Sequence, residues 1–421
     1  MNDWPEKLNK IVAETDKQIA PRLAKIDQNI LFNQNKVLQA FKDKAVAESD
    51  LIGSTGYGSD DSGRDKLDRI YAQIFNTEDA LVRSQFVSGT HTLATAMAGN
   101  LLPGDELTYL TGMPYDTLQQ VIGIAGNGRG SLKQYGVKFS HVNLLSDGSV
   151  DFASARKLLK EHQPKMVVIQ RSRGYNTRPS FTVAKIKPMI KMIREVSPKS
   201  IVFVDNCYGE FSEQHEPTEY GADLMAGSLI KNAGGGLAKM GGYVVGKHEL
   251  IENTAARLTA GGIGREEGAS LNNNLDYFEG LFVSPSVTGN AIKGAIYSSA
   301  LLEKIGLEVS PKWNDERTDL IQTVIFHDKD KMIRFAKTLQ ENSPINSFVD
   351  PIPSNDTGYE DQVIMADGSF IEGASIEFSG DGPIRPPYAL YMQGGLTYAH
   401  VKIAITNAVN ELFFKINQRY L

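Results

Sequence analysis

Between Ala80 and about Gly246 the chain alternates short apolar runs with helical patterns, and no other feature narrows its fold so far. The runs are DALVRSQFV, DELTYLT, VKFSHVNL, KMVVIQ, SIVFVDN, ADLMAGSL and GGYVVG, with helices starting near Thr90, Ser154 and Val183. Strands alternating with helices imply right-handed crossovers and a mainly parallel sheet covered on both faces. The expectation is an α/β protein built on a seven-stranded, mainly parallel sheet.

The flanks divide the rest. Residues 1 to about 50 carry Ile11, Ala20, Leu23, Ile26, Ile30, Leu31 and Val37 at helical spacing, which predicts two amphipathic helices. The loop GSTGYGSDDSGRD follows, too polar and flexible by composition to be core, and from Asp65 the segment KLDRIYAQIF returns to helical periodicity. After Pro285, SVTGNAIKGAIYSSALLEKIG predicts a long helix. A smaller α/β unit then combines the strands LIQTVIF and GASIEFS with the helices DKDKMIRFAKTLQ and LTYAHVKIAITNAVNELFFKI. We therefore expect an N-terminal helical segment at 1–50, a large domain at 51–295 and a small C-terminal domain at 296–421.

Bulk properties remove several function classes. With 41% hydrophobic and 22% charged residues the chain reads as globular rather than disordered or fibrous. Its 44 basic residues are scattered among 50 acidic ones, so nucleic acid is not an expected partner. A single cysteine, Cys207, rules out an intramolecular disulfide and a thiolate zinc site, and points to the reducing cytoplasm. The start MNDWPEKLNKIVAE lacks a secretory pattern, and no stretch approaches about 20 uninterrupted apolar residues, so no membrane partner is expected.

Ligands of open α/β sheets sit at the carboxyl ends of strands, and four segments place reactive residues there. SIVFVDNCYGEF ends a buried strand on Asp205, with Asn206 and Tyr208 beside it; such a carboxylate can keep a pyridinium protonated, or simply cap a turn. ADLMAGSLIKNAGGGLAKMGGYVVG sets Lys231 three residues after Ser228, in apolar, glycine-rich surroundings that lower a lysine pKa and favour carbonyl condensation. Lys239 is its rival. QFVSGTHT puts Ser88, Gly89 and Thr90 at a strand-to-helix turn, either a plain helix cap or a phosphate site to which Ser228 adds a hydroxyl. MPYDTL delivers Tyr115 and Thr117; the tyrosine can stack on a planar ring or serve ordinary packing.

In this order the segments resemble fold type I pyridoxal-phosphate (PLP) enzymes, the aspartate-aminotransferase-like fold. With GYGSDDSGRDKLDRIYAQIF and GSLIKNAGGGLAKMGGYVVG they are similar to the methionine gamma-lyase or aluminium-resistance branch of the Cys/Met-metabolism group, over roughly residues 50 to 400. The resemblance implies that Lys231 holds PLP as a Schiff base, Asp205 binds the ring nitrogen, Tyr115 stacks on the ring, and Gly89, Thr90 and Ser228 hold the phosphate. It also implies that Tyr57 reaches the phosphate of a neighbouring subunit, which makes the protein a homodimer or homotetramer. Ser59 stands where that group carries an arginine, with Arg64 a possible substitute, and Arg385 is the candidate for the substrate carboxylate.

Arg171, Arg173 and Arg178 in IQRSRGYNTRPS depart from the group's pattern and either bind an acidic substrate or pair with surface carboxylates. His91 either joins the site or caps its helix, and Cys207 reads as a small buried side chain. Asp60 and Asp61 form too weak a cluster for a hard cation such as aluminium. The activity implied is carbon-sulfur elimination from a sulfur amino acid such as cystathionine or methionine, at Cβ or at Cγ. The alternatives are an aldolase, transferase or desulfurase on the same fold, or a PLP-binding stress protein with little catalysis.

Overall fold

In a computed structural model, residues 4–176, 178–355 and 359–415 are described. Helix α1 (Glu6–Asp43) and helix α2 (Ser62–Ile74) precede β1 (Asp79–Arg83). Then come α3 (Gly89–Asn100), β2 (Glu106–Tyr109), α4 (Asp116–Ile122), β3 (Lys138–His141), α5 (Phe152–His162), β4 (Met166–Gln170), α6 (Val183–Val196), β5 (Ile201–Asp205), β6 (Leu224–Ser228) and β7 (Gly242–Gly246). These seven strands, each inside an expected run, form one sheet in the order β1-β7-β6-β5-β4-β2-β3. Neighbours from β3 to β6 pair in parallel, while β7 runs antiparallel to both β6 and β1.

The central strands read as unbroken apolar runs because each of their faces meets a different core. Val167, Ile169, Val202 and Val204 join one buried cluster, and Met166, Val168, Ile201 and Phe203 join another. Alternating side chains therefore all need apolar surroundings.

Two expectations about helices change. The N-terminal segment is one 38-residue helix rather than two, with Pro21 inside it. After α7 (His248–Leu258), helix α8 (Asn273–Lys304) begins well before Pro285 and carries that proline internally, so residue 295 lies inside a helix. Each proline costs one backbone bond. Packing offsets that cost, because the buried face of α1, including Leu8, Val12, Ile19 and Ile26, shares a core with Ile292 and Ile296 of α8.

The second sheet contains five strands instead of two: β8 (Glu308–Ser310), β9 (Gln322–Ile325), β10 (Val363–Ala366), β11 (Ser379–Pro383) and β12 (Ala389–Gln393). Their order is β10-β11-β12-β9-β8, antiparallel throughout. Helices α9 (Lys329–Glu341) and α10 (Tyr398–Val409) complete this smaller α/β unit. GASIEFS is not the strand; β11 starts only at its last residue and runs on as SGDGP. Glycine, aspartate and proline are poor strand formers, so pairing on both sides decides the conformation.

The glycine-rich loop before α2 is also packed more closely than its composition implies. Asp61 caps α2 through the Arg64 N–H and accepts hydrogen bonds from Ser54 and Ser270. Gly58, at φ +70°, lies so near Ala269 that a Cβ would come within 2.6 Å of its backbone. Glycine here serves close approach rather than flexibility. Among the described residues no helix is long and apolar enough to cross a membrane.

Candidate active site

The turn after β1 and the carboxyl ends of β4, β5 and β6 open on a cleft of about 430 Å³ whose far wall is the second sheet. Lys231 reaches it from the turn after β6, where Asn232 ties the backbone down by donating to the carbonyls of Tyr208 and Glu210. The Lys231 Nζ lies 3.8 Å from the centre of the Tyr208 ring. Burial opposes its charge, but Tyr208, Cys207 and Asp205 face it and hold the ammonium above its ordinary pKa. The lowered lysine pKa expected from apolar surroundings is thus corrected, because Tyr208, Cys207 and Asp205, in that order of effect, together outweigh desolvation.

Asp205 ends β5 and is buried. Burial raises its carboxyl, against the Cys207 N–H, which donates to Oδ1 at 3.1 Å, and the charges of Lys231 and Arg178. Tyr115 also lines the cleft, its phenol pushed far up by burial and by Asp205. Its hydroxyl is 3.3 Å from Thr90 Oγ1, which in turn is 3.0 Å from Thr117 Oγ1.

The N-terminus of α3 faces the same space. Ser88 caps it by accepting from the His91 N–H at 3.1 Å. Across from it, Ser228 Oγ is buried with no hydrogen-bond partner among the described residues. Gly89 leaves the gap open, since a Cβ there would lie 3.3 Å from Ser228 Cβ and 3.5 Å from Cys207 Sγ. An orphan hydroxyl beside free helix amides is a built anion cradle.

Several candidates fall elsewhere. Lys239 is exposed and paired with Asp276 at 2.7 Å. Asn206 serves Arg171, which is fully buried and also paired with Glu213 and Glu216. His91 accepts from the Val87 N–H at 3.2 Å and caps the turn. Arg64 spends most of its guanidinium on the carbonyls of Gly58 and Gly268 and on Asp65, and it does not line the cleft of its own chain. Tyr57 is 76% exposed and lies outside the cleft of its own chain. Arg385 sits at the mouth, paired with Asp361 at 2.8 Å.

Arg173 and Arg178 line the cleft and have no carboxylate partner among the described residues. Arg178 donates to the carbonyls of Gln170, Ser172 and Pro179, and burial together with Arg173 lowers it to about 10. Among the described residues the Arg173 guanidinium donates to Ser310 and Thr323, and its Nε is unpartnered. Sequence reasoning overlooked Tyr175, Asp381 and Tyr391, which also line the cleft. Two of these come from the second sheet, and the poor strand propensity of SGDGP concealed the strand that carries Asp381.

Comparison with known proteins places the chain in a family. An uncharacterized Bacillus subtilis protein, YnbB, is 50% identical over 97% of each chain. A Clostridium novyi carbon-sulfur lyase involved in aluminium resistance is 45% identical, with a TM-score of 0.93 over 97% of this chain and 96% of that one. A Listeria monocytogenes protein, provisionally named a cystathionine beta-lyase involved in aluminium resistance, is 53% identical, with a TM-score of 0.94 over 96% and 100%. The family model for methionine gamma-lyase matches residues 8–413. Over nearly its whole length the chain therefore belongs to the methionine gamma-lyase family of PLP-dependent lyases.

Proposed function

We propose that this enzyme is a carbon-sulfur lyase that binds PLP through Lys231 and cleaves a sulfur amino acid. The observation that carries the reading is the half-buried Lys231 ammonium in one cleft with the Asp205 carboxylate and the unpartnered Ser228 hydroxyl. These groups fit the cofactor's chemistry: an amine for its aldehyde, a carboxylate for its ring nitrogen, and Ser228, Thr90 and the gap at Gly89 for its phosphate. When bound there, PLP supplies a cationic ring that draws electron density from the substrate's Cα.

The chain's own residues do the rest. Asp205, buried at the strand end, holds the ring-nitrogen proton. Lys231, positioned by the Tyr208 ring beneath it, would both hold the cofactor and take the Cα proton. Tyr115, its hydroxyl held by Thr90 beside Thr117, would stack on the cofactor ring. Arg173 holds the α-carboxylate, since it lies inside the cleft without a carboxylate of its own, whereas Arg385 meets substrate at the entrance. Tyr57, exposed on a well-packed loop, completes the site of a second copy in a homodimer or homotetramer. Cys207 is buried with its thiol pushed far up, so it offers no mobile nucleophile of the kind a desulfurase needs.

Purified protein incubated with cystathionine, methionine and cysteine S-conjugates tests this. The expected result is a near-visible absorption band lost in Lys231→Ala, together with a thiol and a 2-oxo acid. Pyruvate would indicate elimination at Cβ and 2-oxobutanoate elimination at Cγ. No 2-oxo acid from any substrate would overturn the reading.

A further inference from the structure

The far wall of the cleft holds a carboxyl that the elimination does not use. Strand register places Met365, Asp381, Tyr391, Thr323 and Ser310 in one row across β10, β11, β12, β9 and β8, so their side chains share a face. Arg173 docks at one end of this row, its Nη1 3.0 Å from Ser310 Oγ and 3.5 Å from Thr323 Oγ1. Three strands from Ser310, Asp381 is 2% exposed. Its Oδ2 accepts from the Tyr175 hydroxyl, while Oδ1 has no partner among the described residues. No cation among those residues pairs with it, and burial alone raises its carboxyl to about 7.

Aromatic rings frame this carboxyl. Tyr175 stands 5.5 Å from Tyr359 and 5.3 Å from Tyr391, centre to centre, and all three line the cleft. Ring faces carry negative potential and attract cations. A buried carboxylate with a free oxygen is stabilised by a cationic hydrogen-bond donor. Rings and carboxyl therefore select the same kind of ligand.

We propose that Asp381 and the faces of Tyr175, Tyr359 and Tyr391 form a subsite for an ammonium group on the leaving half of the substrate. Arg173 holds the α-carboxylate at the Ser310 end, three strand spacings or about 14 Å along the row. An extended thioether amino acid with an ammonium two or three carbons beyond sulfur covers that span. The assignment to a leaving half rests on the lyase reading; the cation subsite itself does not.

The test compares S-(2-aminoethyl)cysteine with its neutral isostere S-propylcysteine, in wild type and in Asp381→Asn. Wild type is expected to favour the ammonium substrate about ten- to hundredfold in kcat/KM, chiefly through KM, as a charged hydrogen bond in a buried site does. Asp381→Asn is expected to collapse that ratio toward one. No preference in wild type, or an equal fall for both substrates in the variant, overturns the subsite and leaves the lyase reading intact. If neither compound yields a 2-oxo acid, the lyase reading fails and binding decides the subsite. Trimethylammonium, which donates one N–H and cannot condense with an aldehyde, serves as the probe in ligand-observed NMR of the holoenzyme. Binding to wild type that is at least about fivefold tighter than that of neutral tert-butanol sustains the subsite without relying on any variant. Equal or absent binding overturns it.

Discussion

Glu210 gives the most direct test of how this core handles charge. Its side chain is fully buried, Oε1 accepts from the Tyr243 hydroxyl at 2.6 Å, and Oε2 has no partner among the described residues. Burial lifts the carboxyl from 4.5 to about 8, against the Tyr243 hydroxyl. A raised carboxyl keeps in the native state a proton that the unfolded chain has released. Its contribution to stability is therefore complete below pH 4.5, declines as pH rises, and is lost through about pH 8. At about 1.4 kcal/mol per pH unit, this gap is worth on the order of 3 to 5 kcal/mol. For a chain of 421 residues the corresponding shift in Tm is about 3 to 6 °C. Glu210→Gln keeps the Tyr243 acceptor and removes the titration. Calorimetry from pH 5 to pH 9 should show the variant gaining that much Tm relative to wild type, whatever their difference at pH 5. A difference that stays constant across the range would refute the assignment of a buried, protonated Glu210.

Other outcomes follow from the same geometry. Gly89→Ala places a methyl 3.3 Å from Ser228 Cβ and should weaken PLP retention at least about tenfold, measured by dialysis. The Tm of the cofactor-free protein should move by less than about 2 °C; a larger drop would mean that the glycine serves packing instead. Arg173→Ala should raise KM about ten- to hundredfold, with partial recovery in Arg173→Lys, whereas Arg385→Ala should change it little. The reverse ranking would assign the carboxylate to the mouth of the cleft. Asp61 is held at about 2 because the hydroxyls of Ser270 and Ser54 and the N–H groups of Arg64 and Asn274 outweigh burial. That stability is present above about pH 4 and is lost as pH falls through 2. Screened by solvent, it makes Asp61→Asn cost about 1 to 2 kcal/mol at pH 5, with the deficit shrinking at pH 2 to 3 in denaturant titrations.

Element types were legible wherever periodicity is local. All seven strands of the large sheet fall inside the expected runs, and the central ones do so because strands buried on both faces need continuous apolar sequence. The order of Gly89, Tyr115, Asp205, Ser228 and Lys231 also followed from where those runs end. Local pattern failed where distant partners set the outcome. Strand β11 is made from poor strand formers held between two neighbours, and α1 and α8 keep their prolines because each packs along the other.

Charge pairing was the least legible of all. Arg171, Arg173 and Arg178 lie within eight positions of one another, yet the first is enclosed by Glu213 and Glu216 while the other two line the cleft without a carboxylate. Lys231 and Lys239 share one glycine-rich stretch, yet one is half-buried in the cleft with Asp205 and the other exposed beside Asp276. The sequence by itself determined the strand-helix alternation and supplied the reactive residue types at the strand ends, since both depend on neighbours along the chain. Tertiary structure alone decided which charges are neutralised and which remain for a ligand, because an ion pair or an orphaned oxygen depends on segments that meet only when the two sheets close on the cleft.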